Sequence, residues 1–85
     1  MSARVELFTT SHCRHCVAAR QILAQWQIPF IDHRLDLMPL ERERMHELCG
    51  KTSVPQIFID GIHVGGSDAL MAMEANGELS KLRAG

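Results

Sequence analysis

A chain of 85 residues is long enough for one hydrophobic core and too short for two, so a single domain over residues 1–85 is expected. Hydrophobic residues make up 46% and charged residues 22%, as in ordinary globular proteins, and a net charge of -1 offers no basic surface for nucleic acid. No apolar run approaches the length of a membrane span, and the charged start Met1 to Glu6 is followed by no signal-peptide core. A cytoplasmic protein is therefore expected, in a compartment that keeps thiols reduced.

In chain order, Arg4 to Thr9 reads as a strand, with Val5 and Leu7 alternating against Arg4 and Glu6. Thr9 to His12 is a polar break. From Arg14 to Gln27 the period becomes helical, Ala19, Ile22, Leu23 and Trp26 forming one apolar stripe, and Ile28-Pro29 ends it. Phe30 to Leu35 reads as a second strand, so the first half forms a right-handed parallel crossover. Leu40 to Cys49 reads as a helix with Met45, Leu48 and Cys49 inward, Glu41 to Arg44 outward, and Gly50 as its stop.

Gln56 to Ile59 is a near-continuous apolar run expected at the centre of a sheet. Asp60-Gly61 is a two-residue hairpin signal, and Ile62 to Val64 returns antiparallel. After Gly65-Gly66, Ser67 is expected to cap a third helix that carries Asp68 in its first turn and Leu70, Met73 and Met71 inward. Asn76-Gly77 ends it, leaving a tail with room for one helical turn. The order βαβαββα implies an α/β domain: a four-stranded mixed sheet flanked by three helices on its two faces.

The chemistry centres on Cys13-Arg14-His15-Cys16, at the junction of first strand and first helix. A thiol at a helix N-terminus is acidified by the free backbone amides there, and the thiolate is the attacking species in disulfide exchange. Cys16 follows one helical turn later, within reach of a mixed disulfide on Cys13. In a cytosolic chain such a pair beside a βαβ pattern reads as a thioredoxin-like redox motif. Cys49 reads as a core residue, His33, His46 and His63 as surface or edge residues, and Trp26 as a core anchor.

The chain resembles the glutaredoxins along nearly its whole length. The resemblance is carried by the Val5 to Thr9 strand before Cys13-Arg14-His15-Cys16, by Thr52-Ser53-Val54-Pro55-Gln56-Ile57-Phe58-Ile59, and by Gly65-Gly66-Ser67-Asp68. It implies a thioredoxin-like fold, a cis peptide before Pro55, and glutathione as reducing co-substrate with no tightly bound cofactor and no metal. Cys13 would be the nucleophile and Cys16 the resolving thiol. Val54 and Pro55 would meet the tripeptide backbone, and Ser67 and Asp68 its γ-glutamyl end. Arg42 and Lys51 would be further glutathione contacts. Disulfide-containing or glutathionylated proteins would be the substrates, and the protein a monomer. There are two departures from the family pattern: Arg14-His15 replaces Pro-Tyr between the thiols, and Thr10 stands where a lysine is common.

Two metal readings compete. His12, Cys13, His15 and Cys16 are zinc-type ligands, but a structural zinc site draws a second pair from a distant segment. An iron–sulfur cluster held by Cys13 and glutathione is the alternative function, since some family members without the proline after the first cysteine behave this way. A c-type haem site is excluded by Val17 after Cys16.

Overall fold

The computed structural model describes residues 4–82. Its elements are β1 (Val5–Thr9), α1 (Arg14–Gln25), β2 (Ile31–Arg34), α2 (Leu40–Cys49), β3 (Gln56–Ile59), β4 (Ile62–Gly65), α3 (Ser67–Ala75) and a closing 3₁₀ turn (Glu78–Leu82). The strands form one sheet in the order β2-β1-β3-β4. β1 and β2 are parallel, joined by α1, while β3 runs antiparallel to both β1 and β4. The expected mixed sheet is therefore present, with β1 and β3 at its centre. Among the described residues no helix is long and apolar enough to cross a membrane.

Strand alternation sends side chains to two cores. On one face Val5, Leu7 and Ile57 meet Ala19 and Leu23 of α1, Leu70 of α3 and Leu79. On the other, Phe8 and Phe58 meet Leu35 and Met45 of α2. Burying one Leu fully contributes about 1.5–3 kcal/mol, so Leu23 and Leu70 are enough to anchor two short helices.

β1 departs from the half-exposed strand that its alternation suggests: all five of its residues are buried, Glu6 included. α2 covers the face that Glu6 shares with Phe8, and the carboxylate is kept by partners. His33 Nε2 lies 3.2 Å from Glu6 Oε1, and Arg4 Nη2 donates to the same oxygen at 3.0 Å. His33 also stacks on Phe8 at 4.7 Å. His33 and His63 thus sit on the edge strands, as read, but are half-buried and hydrogen-bonded rather than surface residues.

α1 stops at Gln25, two residues before the proline rule would end it. Gln27 takes φ 57°, its amide donates to the Ala24 carbonyl, and the Ile28 amide donates to the Leu23 carbonyl. That pair of bonds is a Schellman ending built without glycine. In α2, Met45 is fully buried and Cys49 half-buried, but Leu48 is 50% exposed: the helix meets the sheet along an i, i+4 line that excludes it. In α3, Leu70 and Met73 face the core whereas Met71 is exposed. Gly66, not Ser67, is the residue before that helix; Ser67 is its buried first residue and makes no capping bond. Trp26 packs half-buried on the core and donates from Nε1 to Glu74 Oε2 at 2.8 Å, tying α1 to α3.

Candidate active site

Cys13 is the residue immediately before α1, in extended conformation, and its carbonyl accepts the first helical bond from the Val17 amide at 3.0 Å. Its sulfur thereby takes the place of a capping hydroxyl. The amides it faces belong to His15 and Cys16, the second and third helical residues, which are the donors that an N-cap side chain serves. The neutral thiol makes no capping hydrogen bond. The amides favour the anion.

Burial works against the Cys13 thiolate. It is outweighed by the Cys16 amide, the Cys16 thiol, the His15 amide and the charge of Arg20, so the Cys13 thiol is more acidic than an ordinary one. Cys16 is fully buried behind it. Burial pushes the Cys16 thiol up to about 11, against the Thr10 amide and Arg20, and the Cys13 anion adds to the rise. Two thiols three residues apart are therefore separated in role: one exposed enough to react and acidic, the other buried and holding its proton.

Arg20, two turns along α1, lies under this pair. Nε donates to Asp32 Oδ2 at 2.7 Å, and Nη2 donates to Thr9 Oγ1 at 2.7 Å and to the Thr10 carbonyl at 3.1 Å. Asp32 also accepts from Thr9 Oγ1 at 2.5 Å and from Arg34 Nε at 3.2 Å. Burial disfavours the Asp32 carboxylate, but these bonds from Thr9, Arg20 and Arg34 hold it below the usual range. The Ser11 amide donates to Asp36 Oδ1 at 3.2 Å, closing the loop before Cys13 onto the end of β2.

The Val54-Pro55 peptide is cis, as the resemblance implies. Val54, Pro55, Ser67 and Asp68 come together with His15, Ser53, Gln56 and Gly66 around one cavity of about 260 Å³. Cys13 does not line it, but His15 does, so the dithiol turn forms its edge. Gly66 permits a close approach: a Cβ there would stand 3.3 Å from the Pro55 carbonyl oxygen. Gln56 is buried, with Nε2 donating to the Ser53 carbonyl at 3.0 Å and Oε1 2.7 Å from His63 Nε2.

Arg42 and Lys51 lie outside this lining. Arg42 donates to the Thr52 carbonyl at 2.8 Å and borders a separate cavity with His46 and Glu47. Sequence reasoning missed Arg20, although its i+4 spacing from Cys16 is legible. It also missed His15, Ser53, Gln56 and Gly66 as lining residues. Among the described residues no group of three or more His, Cys, Asp or Glu side chains is placed to hold a metal ion, so the zinc reading of His12, Cys13, His15 and Cys16 finds no such site.

A mixed four-stranded sheet with an acidic, partly exposed thiol at a helix start, a buried partner thiol one turn on and a cis-proline strand defines a thiol–disulfide oxidoreductase of the thioredoxin-like class. Residues 5–64 match the glutaredoxin family model. The chain is 40% identical over 80 residues to glutaredoxin 3 of Escherichia coli K12, covering 94% of this chain and 96% of that protein. Among solved structures, wheat glutaredoxin superposes with a TM-score of 0.83 at 32% identity, covering 95% of this chain and 81% of that one. A dithiolic glutaredoxin of Trypanosoma brucei brucei gives 0.82 at 29% identity, covering 94% and 86%. The chain belongs to the glutaredoxin family.

Proposed function

We propose that this protein is a glutathione-dependent reductase of protein disulfides and of glutathione mixed disulfides, working in the cytoplasm without a tightly bound cofactor. The observation that carries the reading is the division between an acidic Cys13 and a buried, proton-holding Cys16 at the rim of a peptide-sized cavity. Val54 offers its backbone to a tripeptide as a strand would, with Pro55 beside it. The α3 amides at Ser67 suit a γ-glutamyl carboxylate, and the Asp68 side chain suits the ammonium. Arg42 acts at one remove by holding Thr52, and Lys51 lies at the base of the same loop.

In the reaction, the Cys13 thiolate attacks the glutathione sulfur of a glutathionylated protein. A Cys13–glutathione disulfide forms and the protein thiolate leaves to take a proton. A second glutathione thiolate attacks that glutathione sulfur, releasing oxidised glutathione and the Cys13 thiolate. With a protein disulfide, Cys13 forms the mixed disulfide and Cys16, once deprotonated, displaces the reduced protein. The resulting Cys13–Cys16 disulfide is reduced by two glutathiones. The iron–sulfur alternative has no observation that favours it over this chemistry.

A glutathione-coupled assay tests the assignment. Cys13→Ser is expected to abolish turnover of glutathione mixed disulfides. Cys16→Ser is expected to keep much of that turnover and lose protein-disulfide reduction. Full turnover by Cys13→Ser would overturn the nucleophile.

A further inference from the structure

Arg20 is tied into the site more tightly than a solvent-facing helix residue needs to be. Its side chain is 16% exposed, and its partner Asp32 17%. It lies four residues beyond Cys16 and seven beyond Cys13, on the same face of α1 as both. Its guanidinium grips the Thr9 hydroxyl and the Thr10 carbonyl, on either side of the Thr10 amide that faces the Cys16 sulfur.

Asp32 does not cancel this charge. The carboxylate is shared between two guanidiniums, Arg20 at 2.7 Å and Arg34 at 3.2 Å, so the cluster keeps a surplus positive charge. Because Arg20 and Asp32 are mostly shielded from water, the part of that charge carried by Arg20 is poorly screened. We propose that Arg20 is the positioning residue of the dithiol: anchored by Asp32, it braces the Thr9-Thr10 segment beneath Cys16 and directs the net positive charge of the Arg20–Asp32–Arg34 cluster at both sulfurs. The assignment rests on the thiol–disulfide reading of Cys13 and Cys16.

A charge role and a structural role predict different signs. Loosening the cluster would move the Cys13 thiol in one direction whichever member is removed. Changing its charge moves the thiol up when a guanidinium goes and down when the carboxylate goes. The test is the pH profile of Cys13 alkylation by iodoacetamide, followed by peptide mass so that Cys16 and Cys49 are read separately. The other ionisable groups on the surrounding elements stay in place in every variant: His12 in the loop after β1, Arg14 and His15 in the first turn of α1, Asp36 after β2, and Asp68 in α3.

Arg20→Gln is expected to shift the profile upward by roughly half a unit to one unit. Arg34→Gln should shift it the same way by less, and Asp32→Asn downward; Arg20→Lys should restore part of the loss. For a one-unit rise, where most of the thiol is protonated, thiolate falls tenfold and its intrinsic nucleophilicity recovers about threefold of that. On that part of the profile the reaction should then slow by roughly threefold. Shifts of the same sign in Arg20→Gln and Asp32→Asn, or no shift in either, would overturn the proposal. Should Asp32→Asn fail to fold, Arg34→Gln decides, because that side chain is 42% exposed and carries little of the fold; an unmoved profile there and in Arg20→Gln would overturn the charge role. Failure of the thiol–disulfide reading would appear instead as turnover surviving Cys13→Ser, leaving the alkylation profile to judge Arg20 by itself.

Discussion

His63 never touches the cavity, yet removing it should weaken glutathione binding. The Gln56 amide is pinned at both ends, its nitrogen on the Ser53 carbonyl at 3.0 Å and its oxygen 2.7 Å from His63 Nε2. Gln56 is only 4% exposed, so water cannot easily replace the imidazole. In His63→Phe the ring stays against Phe58, from which His63 now lies 5.1 Å, but the donor is gone. A buried acceptor left bare costs about 1–3 kcal/mol. One of two things then follows. Gln56 keeps its place and the whole cost falls on stability, lowering Tm by several degrees per kcal/mol in a domain of this size. Or Gln56 turns outward, releases Ser53, and the cavity wall at Ser53 to Pro55 loosens. In the second case the cost moves to ligand binding, where about 1.4 kcal/mol is tenfold in affinity. The expected outcome is the second, a KM for glutathione raised up to about tenfold with a smaller Tm loss, and kcat little changed because Cys13 keeps all its contacts. His63→Gln, which returns an N–H donor, should recover part of both. Thermal melts and glutathione-coupled kinetics on the two variants decide the matter. His63→Phe with unaltered Tm and KM would refute the idea that this pair braces the site.

Glu6→Gln should lower stability at neutral pH by about 1 kcal/mol, because burial opposes the Glu6 carboxylate but His33 and Arg4 outweigh it and hold its pKa below the usual value. A depressed carboxylate contributes stability above its unfolded value of roughly 4.3 that is lost as pH falls through the folded one. Urea titrations from neutral to acid pH should therefore show the gap between wild type and Glu6→Gln closing on acidification; parallel curves would contradict the ion-pair account. Gly66→Ala places a methyl group 3.3 Å from the Pro55 carbonyl oxygen, a contact the loop must yield to by a few tenths of an ångström. Glutathione KM should rise several-fold with the fold retained, and unchanged kinetics would show that the loop gives way freely.

The element order was readable because each signal was local. Asp60-Gly61 marks the hairpin, Gly50 ends α2, and the helical stripe of α1 is unbroken. What failed depended on what packs where. Whether Glu6 faces water depends on α2 crossing β1, and whether Leu48 or Met71 is inside depends on which line of a short helix meets the sheet. The ending of α1 was misplaced because Gln27, not glycine, takes the left-handed position. The site divides in the same way. Cys13 and Cys16 announce themselves by spacing, and Val54, Pro55, Ser67 and Asp68 by resemblance. Arg20 does not, because its role needs Asp32 on a neighbouring strand and the Thr10 carbonyl, three pieces that meet only after the crossover is formed.

The sulfur that begins α1 links helix stability to oxidation state. When Cys13 is a thiolate, it stands where a capping side chain stands and serves the His15 and Cys16 amides. When it enters a disulfide, that charge is gone and the helix start loses its anion. A cap of this kind contributes about 1 kcal/mol. By thermodynamic closure, whatever the reduced fold gains from the cap makes the disulfide form easier to reduce by the same amount, roughly 20 mV for a two-electron couple. The first turn of the helix is thus part of the electron balance, and substitutions there that never reach a substrate will still change how readily the protein gives up its electrons.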